Sequence, residues 1–239
     1  MPAFDHSNTP PEATKELVDG INAIIVGLRA MKIDSIQMAG PKSGSWYRNL
    51  IQVYVQAHLR RVLTFIDAGH AELKAGRSLV TEMCSRSIYE SVACFCDFVN
   101  NLCPLLDADD VARIDEFIRT RTFATPVPEF LAEDKSVSAT NIITQLEKLA
   151  KVQPDTMSAY TNLSDIVHPN ALGTVIYFSV LDDDGLIRFP EVTTSAERAR
   201  DMLFTAAIML LHFQLALETL TPRLEKLSNP AADEAPSNA

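Results

Sequence analysis

An uncharged, mostly apolar run of 16 residues, from Met202 to Leu217, sets the strongest limit on the fold. A helix through this run is apolar on nearly every face, and its polar members are Thr205, His212 and Gln214. A membrane span needs about 20 apolar residues, so the run is short and polar for that role. We therefore expect no membrane partner and a helix that lies at the centre of the protein or at a subunit contact.

Helical spacing of apolar residues recurs along most of the chain, and glycine is scarce, at 8 of 239 residues. One segment departs from this pattern: Thr174–Val180 is β-branched and aromatic, Asp182–Gly185 reads as a turn, and Leu186–Phe189 is apolar again. The chain is therefore predicted to be all-α, mainly an antiparallel helical bundle, with a small appended β-hairpin near residues 174–190. The predicted helices are 12–31, 46–68, 77–102, 109–120, 141–151, one ending at 168, and 194–227.

The two ends of the chain lack this periodicity. Residues 1–11 are polar and contain proline, so we predict a disordered N-terminal lead. Residues 229–239 combine prolines, acids and alanines, and we predict a disordered C-terminal tail. Between them, residues 12–228 are expected to form a single helical domain, because one core is the usual outcome at this length.

Charge and cysteine content indicate a soluble, cytoplasmic protein. The formal net charge is −10 and the pI is about 4.9, which opposes non-specific binding to phosphate backbones, so RNA is a possible partner that the net charge does not support. The four cysteines fall on one predicted helix, where pairing is geometrically poor and burial as packing groups is expected. No basic segment followed by an apolar run stands at the start, so we expect no secretory signal.

The stretch from Tyr160 to Pro169 combines several chemically capable side chains with a helix that must stop at a proline. Its histidine, His168, would lie on the last helical turn. A histidine there suits acid–base catalysis, because the helix dipole stabilises its cation. It can equally serve as a structural cap for the last carbonyl groups.

A second candidate set lies on the predicted helix 77–102, where Glu82, Arg86 and Glu90 follow one another at intervals of four residues. Such a ladder can be a solvent-exposed ion-pair row. Ser85, Ser87 and neighbouring aromatics suggest instead a mostly buried helix whose charges must find partners. Arg86 beside Glu90 would then present a fixed fork to an anion or carboxylate.

Metal binding has weaker support in the sequence. Asp67 and His70, like Asp165 and His168, are three residues apart, a carboxylate–histidine spacing that is known from di-iron bundles. The further glutamates of such sites are missing, and Cys94-x-Cys96 lacks the second ligand pair of a zinc site. We therefore assign no metal ligand and expect no cofactor.

Two stretches together, Arg86-Ser-Ile-Tyr-Glu90 and Tyr160-x-x-Leu-Ser-x-x-Val-His-Pro169, resemble a bacterial family of unknown function related to HEPN domains. The resemblance implies an antiparallel helical bundle that often forms a homodimer. It nominates Arg86, Glu90, Tyr160, Ser164 and His168 as site residues. HEPN ribonucleases carry an arginine shortly before the motif histidine, where this chain has Thr161, Asn162 and Leu163.

Three hypotheses follow from the sequence. The first is a dimeric binding or regulatory module with a polar pocket around Arg86, Glu90 and His168, in which Tyr160, Asn162, Ser164 and Arg86 contact a ligand. The second is a metal-independent ribonuclease of a toxin or phage-defence type, with His168, Arg86 and Glu90 as catalytic residues. The third is a carboxylate–histidine metal protein.

Overall fold

The computed structural model describes residues 4–5, 8–38, 43–125, 127–190 and 196–227. The predicted class is confirmed: this part of the chain is an α-helical bundle with one small two-stranded sheet. The helices are α1 (Lys15–Ala30), α2 (Gly44–Lys74), α3 (Ser78–Asp107), α4 (Val111–Thr122), α5 (Pro128–Glu133), α6 (Ile142–Ala150), α7 (Thr156–Val167), α8 (Ala196–Ile208) and α9 (Leu210–Leu227). A 3₁₀ turn spans Lys135–Val137 and a π-helical turn spans Leu172–Ile176.

Helix α3 is the centre of the bundle and contacts α2, α4, α6, α7, α8 and α9. It forms an antiparallel pair with α2 across a short turn in which Gly76 has a positive φ of 72°. Aromatic rings stack on both sides of α3: the Phe98 ring lies 4.0 Å from that of Tyr54 on α2, and the Phe95 ring 4.1 Å from that of Phe213 on α9. The helix is therefore mostly buried, as its aromatic and cysteine content indicates.

Helix α3 also extends beyond the end that was predicted for it. Pro104 was expected to end the helix, yet α3 continues to Asp107 with the proline inside it. Cys103 and Leu105, on either side of the proline, are both buried. Packing of this last turn outweighs the loss of one backbone donor at the proline.

The apolar run at 202–217 lies in the core, but it belongs to two helices and not to one. The chain breaks between α8 and α9 at Met209, whose N–H donates to the carbonyl of Ala206 in a tighter, three-residue turn. By length and composition, Ala196–Leu227 would suffice to cross a membrane, yet half of its most apolar window is buried inside this structure. That burial is compatible with a core element of a soluble protein. The predicted start of this helix at 194 lies outside the described residues.

Part of the segment 1–11, which was predicted to be a disordered lead, packs against the bundle in the residues that the structure describes. Phe4 is buried, with its ring 4.2 Å from that of His70 and 5.3 Å from that of Phe204. The side chain of Asn22 accepts from the N–H of Phe4 at 2.9 Å and donates to its carbonyl at 2.8 Å. One apolar side chain and this double hydrogen bond fix the segment. The predicted tail, 229–239, lies outside the described residues.

The hairpin is present but smaller than predicted. Val180–Leu181 (β1) pairs antiparallel with Ile187–Arg188 (β2), whereas the preceding residues, expected as a strand from Thr174, are helical. Local contacts explain the difference, because the side chain of Asn170 accepts from the N–H of Gly173 and starts a helical turn. A Cβ on Gly173 would lie 2.1 Å from the carbonyl oxygen of His168, so this close approach requires glycine.

Candidate functional site

The two motif segments meet in the folded chain. Arg86 donates through Nε to Oε1 of Glu90 at 3.1 Å and through a terminal nitrogen to the hydroxyl of Tyr160 at 3.1 Å. The same hydroxyl donates to Oε1 of Glu90 at 3.0 Å, and the Arg86 guanidinium lies 5.3 Å from the centre of the Tyr160 ring. Arg86 and Glu90 are about three-quarters buried and Tyr160 is almost fully buried. We call these three residues the α3–α7 triad.

The other nominated residues of α7 lie elsewhere. Asn162 and His168 are exposed, and Ser164 is half-buried with an Oγ that has no hydrogen-bond partner in the described part of the chain. His168 is the C-cap of α7, where its N–H donates to the carbonyl of Ser164 and its backbone turns extended before Pro169. Eight residues separate it from Tyr160, which is about 12 Å of helical rise. His168 and the triad therefore lie two turns apart along α7.

A polar cleft that sequence reasoning missed borders the triad through Glu90. Its volume is about 270 Å³, and it opens between α2, α3, α4 and α6. Its side chains come in helical sets, with Tyr54, His58 and Arg61 on one face of α2 and Glu90, Cys94 and Asp97 on the facing side of α3. We call it the polar cleft; it is completed by Ser91, Phe98, Arg121, Ala124, Ala139, Thr140, Ile142 and Gln145.

Asp97 is the most buried charge of the polar cleft, with 2% of its side chain exposed. One carboxylate oxygen accepts from Lys148 of α6 at 2.6 Å, and the other accepts from Arg121 of α4 at 3.2 Å. Asn101 adds a further hydrogen bond at 3.0 Å. Asp97 therefore joins three helices and satisfies its charge within the protein.

Three polar groups of the cleft, Tyr54 and His58 on α2 and Cys94 on α3, are uncharged at neutral pH. Burial, with a smaller contribution from the nearby Arg61 cation, lowers the pKa of His58 to about 4. Its Nδ1 is buried and has no hydrogen-bond partner among the described residues. The Tyr54 ring lies 4.4 Å from the imidazole, and burial raises the pKa of both the Tyr54 phenol and the neighbouring Cys94 thiol. These groups are neutral and able to form hydrogen bonds.

The charged side chains that line the polar cleft are two arginines, Arg61 and Arg121, and two carboxylates, Glu90 and Asp97. Each carboxylate is also paired with a cation that does not line the cleft, Glu90 with Arg86 and Asp97 with Lys148. The lining is therefore balanced in charge, in a chain whose formal net charge is −10. Because both carboxylates are compensated, the two arginines can accept an anion.

The carboxylate–histidine pairs do not assemble a metal site in the part of the chain described. Asp67 forms an ion pair with Arg29, while His70 is buried against Phe4. No group of three or more His, Cys, Asp or Glu side chains within metal-binding distance occurs among the described residues. The four cysteines are free thiols.

Comparisons with protein-family models, with curated proteins and with solved structures find no match to this chain.

Proposed function

We propose that this chain is a HEPN-like binding or regulatory module and that its polar cleft binds a small organic anion. The proposal keeps Arg86, Glu90 and Tyr160 from the hypothesis based on sequence and replaces His168 by the residues of the cleft. One observation carries it: two arginines line a concave site of a strongly acidic protein, and both carboxylates of that site are paired with other cations.

Arg61 is the residue best placed to bind the anion. It donates to Oγ of Ser91 through Nε at 3.1 Å, and in the described part of the chain this contact leaves the two terminal amino groups of the guanidinium for a ligand. Arg121, in contrast, already donates to Asp97 and Thr140. A guanidinium matches a carboxylate or phosphate with two parallel hydrogen bonds. We therefore assign the charged group of the ligand to Arg61, with Arg121 as its neighbour.

The remaining lining limits the size and polarity of the ligand. A volume of about 270 Å³ is just below the usual range of ligand pockets, about 300–1,000 Å³, so the cleft suits a small metabolite. His58 offers an unpartnered ring nitrogen, and Tyr54 and Phe98 offer an apolar wall. A buried polar atom without a partner costs about 1–3 kcal/mol, which a ligand hydrogen bond to His58 would recover.

The α3–α7 triad is assigned a positioning role. Glu90 lines the polar cleft, and its Oε1 is held by both Arg86 and Tyr160. These two contacts fix the rotamer of Glu90, and the Arg86 cation compensates its charge, so that Glu90 does not repel an anion at Arg61. Arg86 and Tyr160 thus act on the ligand through Glu90.

The test measures the melting temperature and calorimetric binding of the whole chain with inorganic phosphate, succinate and adenosine monophosphate. Adenosine is the uncharged control. We expect at least one anion to raise the melting temperature, because a ligand at about 100 times its Kd adds about 2.7 kcal/mol to the free energy of unfolding. Arg61→Gln is expected to weaken binding at least about tenfold.

Arg60→Gln is the matched control, because Arg60 adjoins Arg61 on α2 and contacts the carbonyl of Ile33, outside the cleft. It should bind the anion as wild type does. Absence of any shift with all three anions at concentrations of about 10 mM, or equal losses in the two variants, would overturn the proposal.

The ribonuclease hypothesis is favoured by one separate observation, the exposure of His168 at the end of α7, where a polymer can reach it. It is tested with a fluorescent RNA in the presence of a chelator. Cleavage that His168→Ala abolishes and Arg61→Gln leaves intact would support this function in place of the anion site. Cleavage that persists in His168→Ala, or the absence of cleavage, would exclude it.

A further inference from the structure

The polar cleft presents two open hydrogen-bonding groups of opposite charge, and an anion would use only one of them. The first is the guanidinium of Arg61, of which only Nε has a hydrogen-bond partner in the described part of the chain, the hydroxyl of Ser91. The second is the carboxylate of Glu90. Arg86 and Tyr160 both donate to its Oε1, so that Oε2 has no hydrogen-bond partner among the described residues.

Oε2 of Glu90 is also accessible to a ligand. The Glu90 side chain lines the cleft and is 25% exposed, and Oε2 itself is not shielded from solvent. An ionised carboxylate oxygen accepts hydrogen bonds and donates none. A ligand group that meets Oε2 should therefore be a donor, and a cationic donor forms the stronger bond.

Asp97, the other carboxylate that lines the cleft, is already occupied. Its Oδ1 accepts from Lys148 and Asn101, and its Oδ2 accepts from Arg121. Only 2% of its side chain is exposed. Within the described lining, Glu90 is therefore the carboxylate that is left for a ligand.

The open guanidinium and the open carboxylate are neighbours. Ser91, to which Arg61 donates, directly follows Glu90 on α3. Glu90 is nevertheless paired with Arg86 and not with Arg61 in the described part of the chain. A ligand with two opposite charges can thus lie between Arg61 and Glu90 and contact both.

We propose that the ligand of the polar cleft is a free α-amino acid with an apolar side chain. Its carboxylate lies on the guanidinium of Arg61, and its ammonium group donates to Oε2 of Glu90. The inference rests on the proposed anion site and adds the second contact. An anion without an amino group would leave Oε2 open and place a further negative charge beside it, whereas an amino acid carries both required groups on one carbon.

The rest of the lining determines the kind of side chain. Arg121 is paired with Asp97, so a charged side chain would find no open partner in the described lining. Apolar contacts are available from Phe98, Ala124, Ala139 and Ile142. A volume of about 270 Å³ suits one small molecule of this kind.

The test compares amino acids with the same acids lacking the amino group, by isothermal titration calorimetry on the whole chain. The pairs are L-phenylalanine with hydrocinnamate and L-leucine with isocaproate. We expect wild type to bind at least one amino acid at least about tenfold more tightly than its paired acid. Phenethylamine, which lacks the carboxylate, should bind at least about tenfold more weakly than L-phenylalanine.

Glu90→Gln tests the assignment of the ammonium contact. The variant keeps an oxygen that accepts from Arg86 and Tyr160 but removes the negative charge, so the preference for the amino acid over its paired acid should be lost. Glu147→Gln is the matched control, because Glu147 is exposed on α6 outside the cleft, and it should keep the preference. Circular dichroism verifies that both variants fold, and the comparison of ligands on wild type needs no variant.

The possible failures of this inference and of the anion site can be told apart. If wild type bound each acid as tightly as its amino acid, the inference would be overturned and the anion site would stand. A preference that Glu90→Gln retains as fully as Glu147→Gln would remove Glu90 from the contact and overturn the inference as well. No binding of either pair, or of phosphate, succinate and adenosine monophosphate, would overturn both proposals.

Discussion

His70 makes the stability of this protein depend on pH in a way that can be calculated. It is 8% exposed, its ring lies 4.2 Å from that of Phe4, and neither ring nitrogen has a hydrogen-bond partner among the described residues. Burial, followed by the nearby Lys74 cation, lowers its pKa from the ordinary value of 6.5 to about 4. The folded protein therefore holds His70 neutral where the unfolded chain would protonate it.

The direction and size of the pH effect on stability follow from the difference between the pKa of His70 in the unfolded and in the folded chain. A depressed pKa in the folded state means that the stabilisation is fully present above pH 6.5 and is lost as the pH falls from 6.5 to about 4. Each pH unit across that window removes about 1.36 kcal/mol, so His70 alone accounts for a loss of about 3 kcal/mol. Set against a typical free energy of unfolding of about 5–15 kcal/mol, this is a large fraction.

Urea denaturation between about pH 7 and about pH 4 measures the effect. His70→Leu removes the titrating ring and keeps an apolar contact for Phe4. Between about pH 7 and about pH 4, the free energy of unfolding of this variant should therefore fall by about 3 kcal/mol less than that of wild type. His168→Leu, at an exposed position, should follow wild type. If His70→Leu showed the same loss as wild type, His70 would not be held neutral by its surroundings and this reasoning would be refuted.

Three further predictions concern buried groups. Burial raises the pKa of Glu82 and outweighs the opposing effect of a nearby arginine, so ionisation of Glu82 destabilises the folded state as the pH rises above 4.5. Glu82→Gln removes this ionisation. Its free energy of unfolding should exceed that of wild type by an amount that grows between pH 5 and pH 7 in urea titrations. Asp97→Ala leaves Arg121 and the half-exposed Lys148 without their carboxylate and should lower the free energy of unfolding by about 1–3 kcal/mol by the same assay. Gly173→Ala forces a methyl group against the carbonyl of His168, and hydrogen exchange should show faster exchange of the turn that follows α7 while α3 is unchanged.

Much of the fold could be predicted because apolar periodicity is a local property of the sequence. Helix α1 was expected at 12–31 and spans Lys15–Ala30, and α6 was expected at 141–151 and spans Ile142–Ala150. The pairing of Arg86 with Glu90 was also anticipated, because charges on a helix of apolar and aromatic residues must find partners. Tyr160 was nominated by the family resemblance and not by this argument.

What sequence reasoning missed depends on contacts between distant segments. The burial of Phe4 requires a gap beside His70 that only the packed helices create. The helical turn before β1 depends on one side-chain hydrogen bond from the N–H of Gly173 to Asn170, although the residues that follow are β-branched. The polar cleft does have a signal, since Tyr54, His58 and Arg61 recur at helical spacing. Of their counterparts on α3, Glu90 was nominated from the sequence, whereas Cys94 had been interpreted as a packing residue and Asp97 was not singled out.

Asp97 has a consequence for how occupancy of the polar cleft could be transmitted through the molecule. Its carboxylate is the common partner of Arg121 and Lys148, so the positions of α4 and α6 depend on one acceptor. An anion that attracts Arg121 competes with Asp97 for the same guanidinium. Filling the cleft would thereby weaken the ion pair between Asp97 of α3 and Arg121 of α4, while the ion pair between Asp97 and Lys148 of α6 remains. Binding in the cleft would then change how firmly α4 packs against α3.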